Sequence, residues 1–296
     1  MSKIIFVGNY KGGVGKTTTV INLAQFMVGK GKNILTLDLD PQCSLSEIQI
    51  NSLKNKTSGV MTLSDLQNDE CLNYIFDLSI NKIIKYPSLD IAFSDKIIKT
   101  FCQISAARYD FIPSSIFYKN GTGLDKLAIM MENSIEYLSI LKCYIDRIKE
   151  NYDYIIIDCP PSNNLITQSA FLMSDYYIIP TVPDKISTKG VPHYIQTVNS
   201  IYKEICEESE DASLAKHYFG NRPELLGIIL TLVRNANYDT DIESFKNALN
   251  KENLNANIFE NEIDHCVNVG RYAATGENHF SYDKLCCEIM QCLERS

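Results

Sequence analysis

The sequence predicts an α/β fold in which a mainly parallel twisted sheet carries helices on both faces. Three observations predict it. Six short runs rich in Ile, Val, Leu, Tyr and Phe are apolar almost without alternation, as strands covered on both faces must be. Longer segments with apolar residues three and four apart fill the intervals between these runs, which is the βα alternation of a parallel sheet. The first run passes through a glycine-rich turn straight into the first helical pattern.

In chain order, the first run is 3–7, the glycine-rich turn follows from Gly8, and a helix is expected over 16–30. The second run, 33–37, ends on two acids, Asp38 and Asp40. The stretch 51–120 is the least readable, with polar breaks at 55–59 and 120–123 around the third run at 109–112. Over 124–150 the residues Leu127, Met131, Ile135, Leu138, Leu141, Ile145 and Ile148 mark one face of a helix. Runs at 154–157, 176–182 and 225–233 complete the strands, and 282–295 ends the chain as a helix whose Leu285, Ile289 and Leu293 face a core.

With 296 residues and 45% hydrophobic composition, the chain is expected to be one domain, 1–296. It leaves room for an insertion at about 51–108 and an extended loop at about 207–223. Ten cysteines show no CxxC spacing and follow no secretory leader, so reduced thiols in a cytoplasmic protein are expected. No stretch reaches the ~18 consecutive apolar residues of a spanning helix. Asp283, Glu288 and Glu294 give 282–295 an acidic face that suits no anionic membrane surface. A net charge of −8 does not mark a nucleic-acid binder, leaving only a local basic patch for that role.

The glycine-rich turn carries the chemistry. A strand ending at Gly8, a turn, and then Gly15, Lys16 and Thr17 opening a helix form the context of a phosphate-binding P-loop. Amides of the turn and of the helix N-terminus converge on phosphate oxygens, Lys16 adds positive charge for the β and γ phosphates, and Thr17 offers a hydroxyl to Mg²⁺. The strict pattern fails at its first glycine, which is Tyr10, and Lys11 adds a second lysine. Since Lys16 already serves one nucleotide, Lys11 is suited to reach a second one in a partner subunit and neutralise charge on its γ phosphate.

The string Lys11, Gly12, Gly13, Val14, Gly15, Lys16, Thr17, Thr18 resembles the deviant Walker A motif of the ParA/MinD/NifH group. The resemblance makes Lys11 the signature lysine of an ATP sandwich dimer. Asp38-Leu39-Asp40-Pro41-Gln42 resembles that group's A′ motif, implying that Asp40 positions the attacking water and that Asp38 supports the metal shell. The apolar run ending in Asp158-Cys159-Pro160-Pro161 resembles its Walker B element, with Asp158 on Mg²⁺. The segment 230–235 lies where relatives contact the base, so Arg234 and Asn235 are the candidates for that contact.

The resemblance implies a ParA-type ATPase of short, Soj-like form using ATP and Mg²⁺. In such a protein ATP drives a homodimer, the dimer holds nonspecific DNA, and a ParB-like or centromere-binding partner triggers hydrolysis, in the service of plasmid or chromosome partitioning. It would be cytoplasmic and nucleoid-associated. Candidates for a phosphate-binding stripe are Lys82, Lys85, Lys96, Lys99, Arg108, Lys119 and Lys126, with Arg271 in a late loop. Two alternatives are a MinD-like positioning ATPase on a membrane, disfavoured by the acidic C-terminal helix, and a NifH-like iron-sulfur ATPase, for which Cys102, Cys143, Cys286, Cys287 and Cys292 lack the expected surroundings.

Overall fold

The computed structural model describes residues 2–54, 61–88, 90–233, 238–252, 254, 256–265, 267–275, 277 and 279–295. Its strands are β1 (Lys3–Val7), β2 (Ile34–Asp38), β3 (Lys99–Ile104), β4 (Ala107–Ile112), β5 (Tyr154–Asp158), β6 (Tyr176–Thr181) and β7 (Glu224–Leu230). They form one sheet in the order β3-β4-β2-β5-β1-β6-β7, parallel throughout except for the β3/β4 hairpin.

The helices are α1 (Lys16–Gly29), α2 (Ser44–Lys54), α3 (Leu72–Lys85), α4 (Leu124–Ile129), α5 (Ile135–Leu138), α6 (Ile140–Ile145), α7 (Leu165–Leu172), α8 (Lys185–Cys206), α9 (Ala212–Phe219), α10 (Tyr238–Lys251), α11 (Val267–Ala274) and α12 (Asp283–Arg295). Successive strand residues point to opposite faces of the sheet, so each buried strand feeds two cores. Phe6, Leu35, Ile155 and Tyr177 enter one core with α3 to α10, while Ile5, Ile34, Ile156 and Ile178 enter the other with α1, α2, α11 and α12. This double burial is why the strands read as continuous apolar runs.

Two sequence expectations change. The single helix over 124–150 is three short helices: α4 ends at Ile129, Ser134 takes an extended conformation (φ −136°, ψ 161°) before α5, and Ser139 separates α5 from α6. The stretch 51–120, in which the sequence suggests loops and short helices around the run 109–112, holds more regular structure than that. It supplies β3, and it supplies α3, whose Leu72, Ile75, Phe76 and Ile80 join the core. The β3/β4 turn is made at Ser105, whose φ of 55° is left-handed. Within 207–223 lies α9, packed through Ala215 and Phe219. Among the described residues no helix is long and apolar enough to cross a membrane.

Candidate functional site: a glycine loop facing three carboxylates

β1 ends in the middle of the sheet, and the loop that leaves it is held from several sides. At Gly8 an added Cβ would stand 2.2 Å from both the Phe6 ring and the Tyr194 hydroxyl, so only glycine fits between strand and α8. The Asn9 side chain donates to Pro180 O (2.9 Å) and accepts from the Lys11 amide (3.1 Å), tying the loop to β6. Gly13 and Gly15 then turn through left-handed conformations (φ 72° and 82°). Tyr10 has no such φ, which is why a side chain is tolerated where the strict P-loop pattern has glycine. Its ring lies edge-on to Tyr194, centroids 4.7 Å apart.

Gly15 caps α1 with no side-chain hydrogen bond, whereas Asn164 and Asp184 cap α7 and α8 with theirs. The first amides of α1 are therefore left open at the positive end of a helix dipole, the arrangement that receives phosphate. Lys16, 7% exposed, extends back over this loop and donates to Lys11 O (3.2 Å). Burial pulls its ammonium below the usual lysine range, opposed by the nearby Asp158 and Asp40.

The acids face the loop from the ends of β2 and β5. Asp38 and Asp158 are register neighbours on adjacent parallel strands, and Asp158 is likewise level with Val7 of β1. The Thr17 hydroxyl donates to Asp158 Oδ2 (2.6 Å), while Asp158 Oδ1 is buried without a hydrogen-bond partner. Burial first, then Asp38, push the Asp158 carboxyl well above its usual range. Asp38 Oδ2 accepts from the amide and hydroxyl of Ser46 (2.8 and 2.7 Å), and Oδ1 accepts from the Asp40 amide (3.1 Å). Burial still raises Asp38 to about 6. Asp40 caps its own turn by accepting from the Gln42 amide (2.9 Å).

The loop and Asp40 border one cleft of ≈ 780 Å³ at the carboxyl ends of the strands, where open α/β sheets place their ligands, with Asp38 and Asp158 buried behind its wall. Gly12, Gly13, Gly15, Lys16, Thr17, Thr18 and Asp40 all border it. Lys11 is not among its lining residues. Its ammonium pairs instead with Asp184, the cap of α8, and reaches the Ser187 hydroxyl (3.5 Å). In the single chain, then, a carboxylate of that chain holds the lysine that the sequence assigns to a partner's nucleotide. Arg234 and Asn235 lie outside the described residues.

Sequence reasoning passed over several participants. Asp125, Ser162 and Asn164 border the cleft, as does Leu232 of the segment 230–235. Ser46 and Ser114 brace Asp38, with the Ser114 amide on the Ser46 hydroxyl (2.8 Å). The Asp184-x-x-Ser187 spacing, a helix-cap pattern, was the available signal for the Lys11 partner. Of the proposed basic stripe, Lys96, Lys99, Arg108 and Lys119 pair with Asp69, Glu70, Asp110 and Asp77, which cancels much of its field. No group of three or more metal-binding His, Cys, Asp or Glu occurs among the described residues.

A family model described as an AAA domain matches residues 2–210. The sporulation initiation inhibitor protein Soj of Bacillus subtilis (strain 168) is 31% identical over 207 residues, covering 69% of this chain and 68% of Soj. The fold is similar to that of a Cyanothece McdA variant solved in complex with ATP, with TM-score 0.67 at 17% identity over 99% of this chain and 95% of that one. It is also similar to pNOB8 ParA solved on nonspecific DNA, with TM-score 0.64 at 20% identity over 100% of both chains.

Proposed function

The chain belongs to the ParA/Soj-like family of AAA domains, and on that premise we propose that it is a partition ATPase whose ATP-bound form is a sandwich dimer on nonspecific DNA. One observation carries the reading: an open α1 N-terminus, Lys16, Thr17 and Asp40 border a single cleft, and the buried Asp158 behind it takes the Thr17 hydroxyl and lies beside Asp38. The cleft suits a nucleoside triphosphate, with Gly12, Gly13, Gly15 and Thr18 of the loop that also contains Val14 around its phosphates and Lys16 on the β and γ groups.

The residues fit a hydrated Mg²⁺. Asp158 Oδ1 is a buried acceptor lacking a donor, and the Thr17 hydroxyl stands beside it, a sparse oxygen set of the kind Mg²⁺ takes while keeping several waters. Mg²⁺ bound by Thr17 and Asp158 would neutralise phosphate charge as the γ phosphoryl group leaves. Asp38 supports this shell from β2, and Ser46 holds its carboxylate still. Asp40 orients the attacking water from the lip of the cleft.

Lys11 completes the site of a second copy once it leaves Asp184, and a ParB-like or centromere-binding protein favours that state. In this reading the chain is cytoplasmic and nucleoid-associated in its dimeric form. The titration of DNA binding with ATP, with ADP and without nucleotide, at several salt concentrations, tests the function. Binding that requires ATP and weakens steeply with salt is expected, and binding indifferent to nucleotide rejects it. The Asp40→Ala variant should bind ATP and remain dimeric while turnover falls by about a hundredfold or more, read by sizing and phosphate release.

A further inference from the structure

We propose that Asn73, in a stretch that none of the nucleotide motifs reaches, is a positioning residue for the carboxylate of Asp38. It acts through the loop 113–123, which it clasps to α3 and which in turn brings Ser114 and Ser46 against Asp38. The inference rests on the reading of Asp38 as support for a bound Mg²⁺, and it gives the helix outside the motifs a part in the site.

Asn73 is fully buried in the first turn of α3. Its Nδ2 donates to Ser115 O and to Thr122 O (both 3.1 Å), and its Oδ1 accepts from the Ser115 amide (2.9 Å). One side chain therefore holds both ends of the segment 115–122 and closes it into a loop. The Leu72 amide adds a bond to Pro113 O (2.8 Å). One turn further along α3, Asp77 takes the Tyr118 hydroxyl (2.7 Å) and pairs with the Lys119 ammonium. The tip of this loop is strained, since Lys119, Asn120 and Gly121 are successively left-handed (φ 39°, 60° and 90°). Such backbone persists where its surroundings over-determine it, and here α3 supplies those surroundings.

Clasping Ser115 fixes its neighbour Ser114, whose hydroxyl donates to Asp38 O and whose amide donates to the Ser46 hydroxyl (2.8 Å). That hydroxyl in turn donates to Asp38 Oδ2 (2.7 Å), beside the Ser46 amide (2.8 Å). Ser114 thus reaches Asp38 twice, through the end of β2 and through its carboxylate. Ser46, Ser114 and Asp38 are all 0% exposed, so a bond lost among them is not readily replaced by solvent. Asp38 Oδ1 holds the Asp40 amide (3.1 Å), so the same anchor bears on the acid at the lip of the cleft. Beyond Thr122 the chain enters α4, whose Asp125 borders the cleft as well. Asn73, Ser46 and Ser114 do not border it, so the phosphate cradle should not sense their loss.

Calorimetric titration of ATP, once with Mg²⁺ and once with EDTA, into the wild type, Asn73→Ala, Ser114→Ala and Asp38→Ala tests the relay. With Mg²⁺, Asn73→Ala and Ser114→Ala should each weaken ATP by about tenfold, the scale of a lost bond behind a metal-site carboxylate, while affinity in EDTA stays within about twofold. The double variant should lose no more than about twofold beyond the larger single loss, because both residues act on one carboxylate. Equal losses with and without Mg²⁺ mark a structural role and overturn the inference, as does full additivity in the double variant. A Mg²⁺-specific loss in Asp38→Ala that is missing from Asn73→Ala overturns the inference alone. Wild-type binding with Mg²⁺ in Asp38→Ala removes the metal reading of Asp38, and the inference with it. Should Asn73→Ala fail to fold, judged by circular dichroism, Asn73→Asp takes its place with the same expectation, since it keeps the acceptor for the Ser115 amide and loses both donations.

Discussion

Lys16 and Lys11 stand five residues apart on one loop, yet their surroundings differ in kind. Lys16 is buried at the floor of a cleft, between open helix amides and the acids Asp158 and Asp40. The Lys11 side chain is 31% exposed and turns out of the cleft to Asp184, itself 39% exposed. The inner half of the loop is thus assembled in the lone chain, whereas the outer half is committed to a contact that the proposed dimer would have to replace. An exposed pair of this kind is weak, worth about 0–1 kcal/mol, so the contact holds Lys11 without trapping it.

The contrast can be broken most easily at the outer lysine. Lys11→Ala should cut turnover by about a thousandfold, the scale of a lost charge in trans, with ATP affinity within about threefold of wild type. Phosphate release and calorimetry together check this, and a fully active variant ends the two-halves picture. At the inner lysine the pattern should invert: Lys16→Ala should lower ATP affinity itself by at least about a hundredfold, measured with a fluorescent nucleotide.

A smaller effect sharpens the comparison at Asp184. Asp184→Asn keeps an acceptor for the Ile186 and Ser187 amides but drops the charge. It should lower the ATP concentration needed for dimerisation by up to about fivefold, read by light scattering, and no change would mean that the pair does not restrain Lys11. The smallest effect concerns the acids. Burial raises Asp38 from 3.8 to about 6, so the folded chain holds a proton that the unfolded chain has lost, and stability falls as pH rises through that window. In ligand-free protein the melting temperature of wild type relative to Asp38→Asn should therefore drop between those pH values and level off above them.

Much of this was legible in the sequence because the informative residues are neighbours in the chain. Double burial made the strands of the sheet's interior visible, and the loop and its acids follow strand ends directly. β3 escaped because an edge strand paired on one side alternates weakly, with Thr100, Gln103 and Ile104 exposed. The broken helix over 124–150 escaped because its apolar stripe continues across Ser134, so periodicity alone could not reveal the turn. Asn73 and Asp184 escaped for a different reason: their partners are 42 and 173 residues away. Only the fold brings an α3 side-chain amide to Ser115 or an α8 cap to Lys11.

The strand order has a consequence in time. β1 pairs with β5 and β6, so the segment made first finds its lateral partners only after Thr181 has been synthesised. At ~5–20 residues per second, roughly ten to thirty-five seconds separate those events on a ribosome. Until β5 has been made the apolar run Ile4 to Val7 lacks a partner strand, and the loop beyond it gains its β6 side only at the end of the interval. The nascent chain must therefore be shielded early and becomes competent late, with nucleotide able to help hold it only once the middle of the sheet has closed.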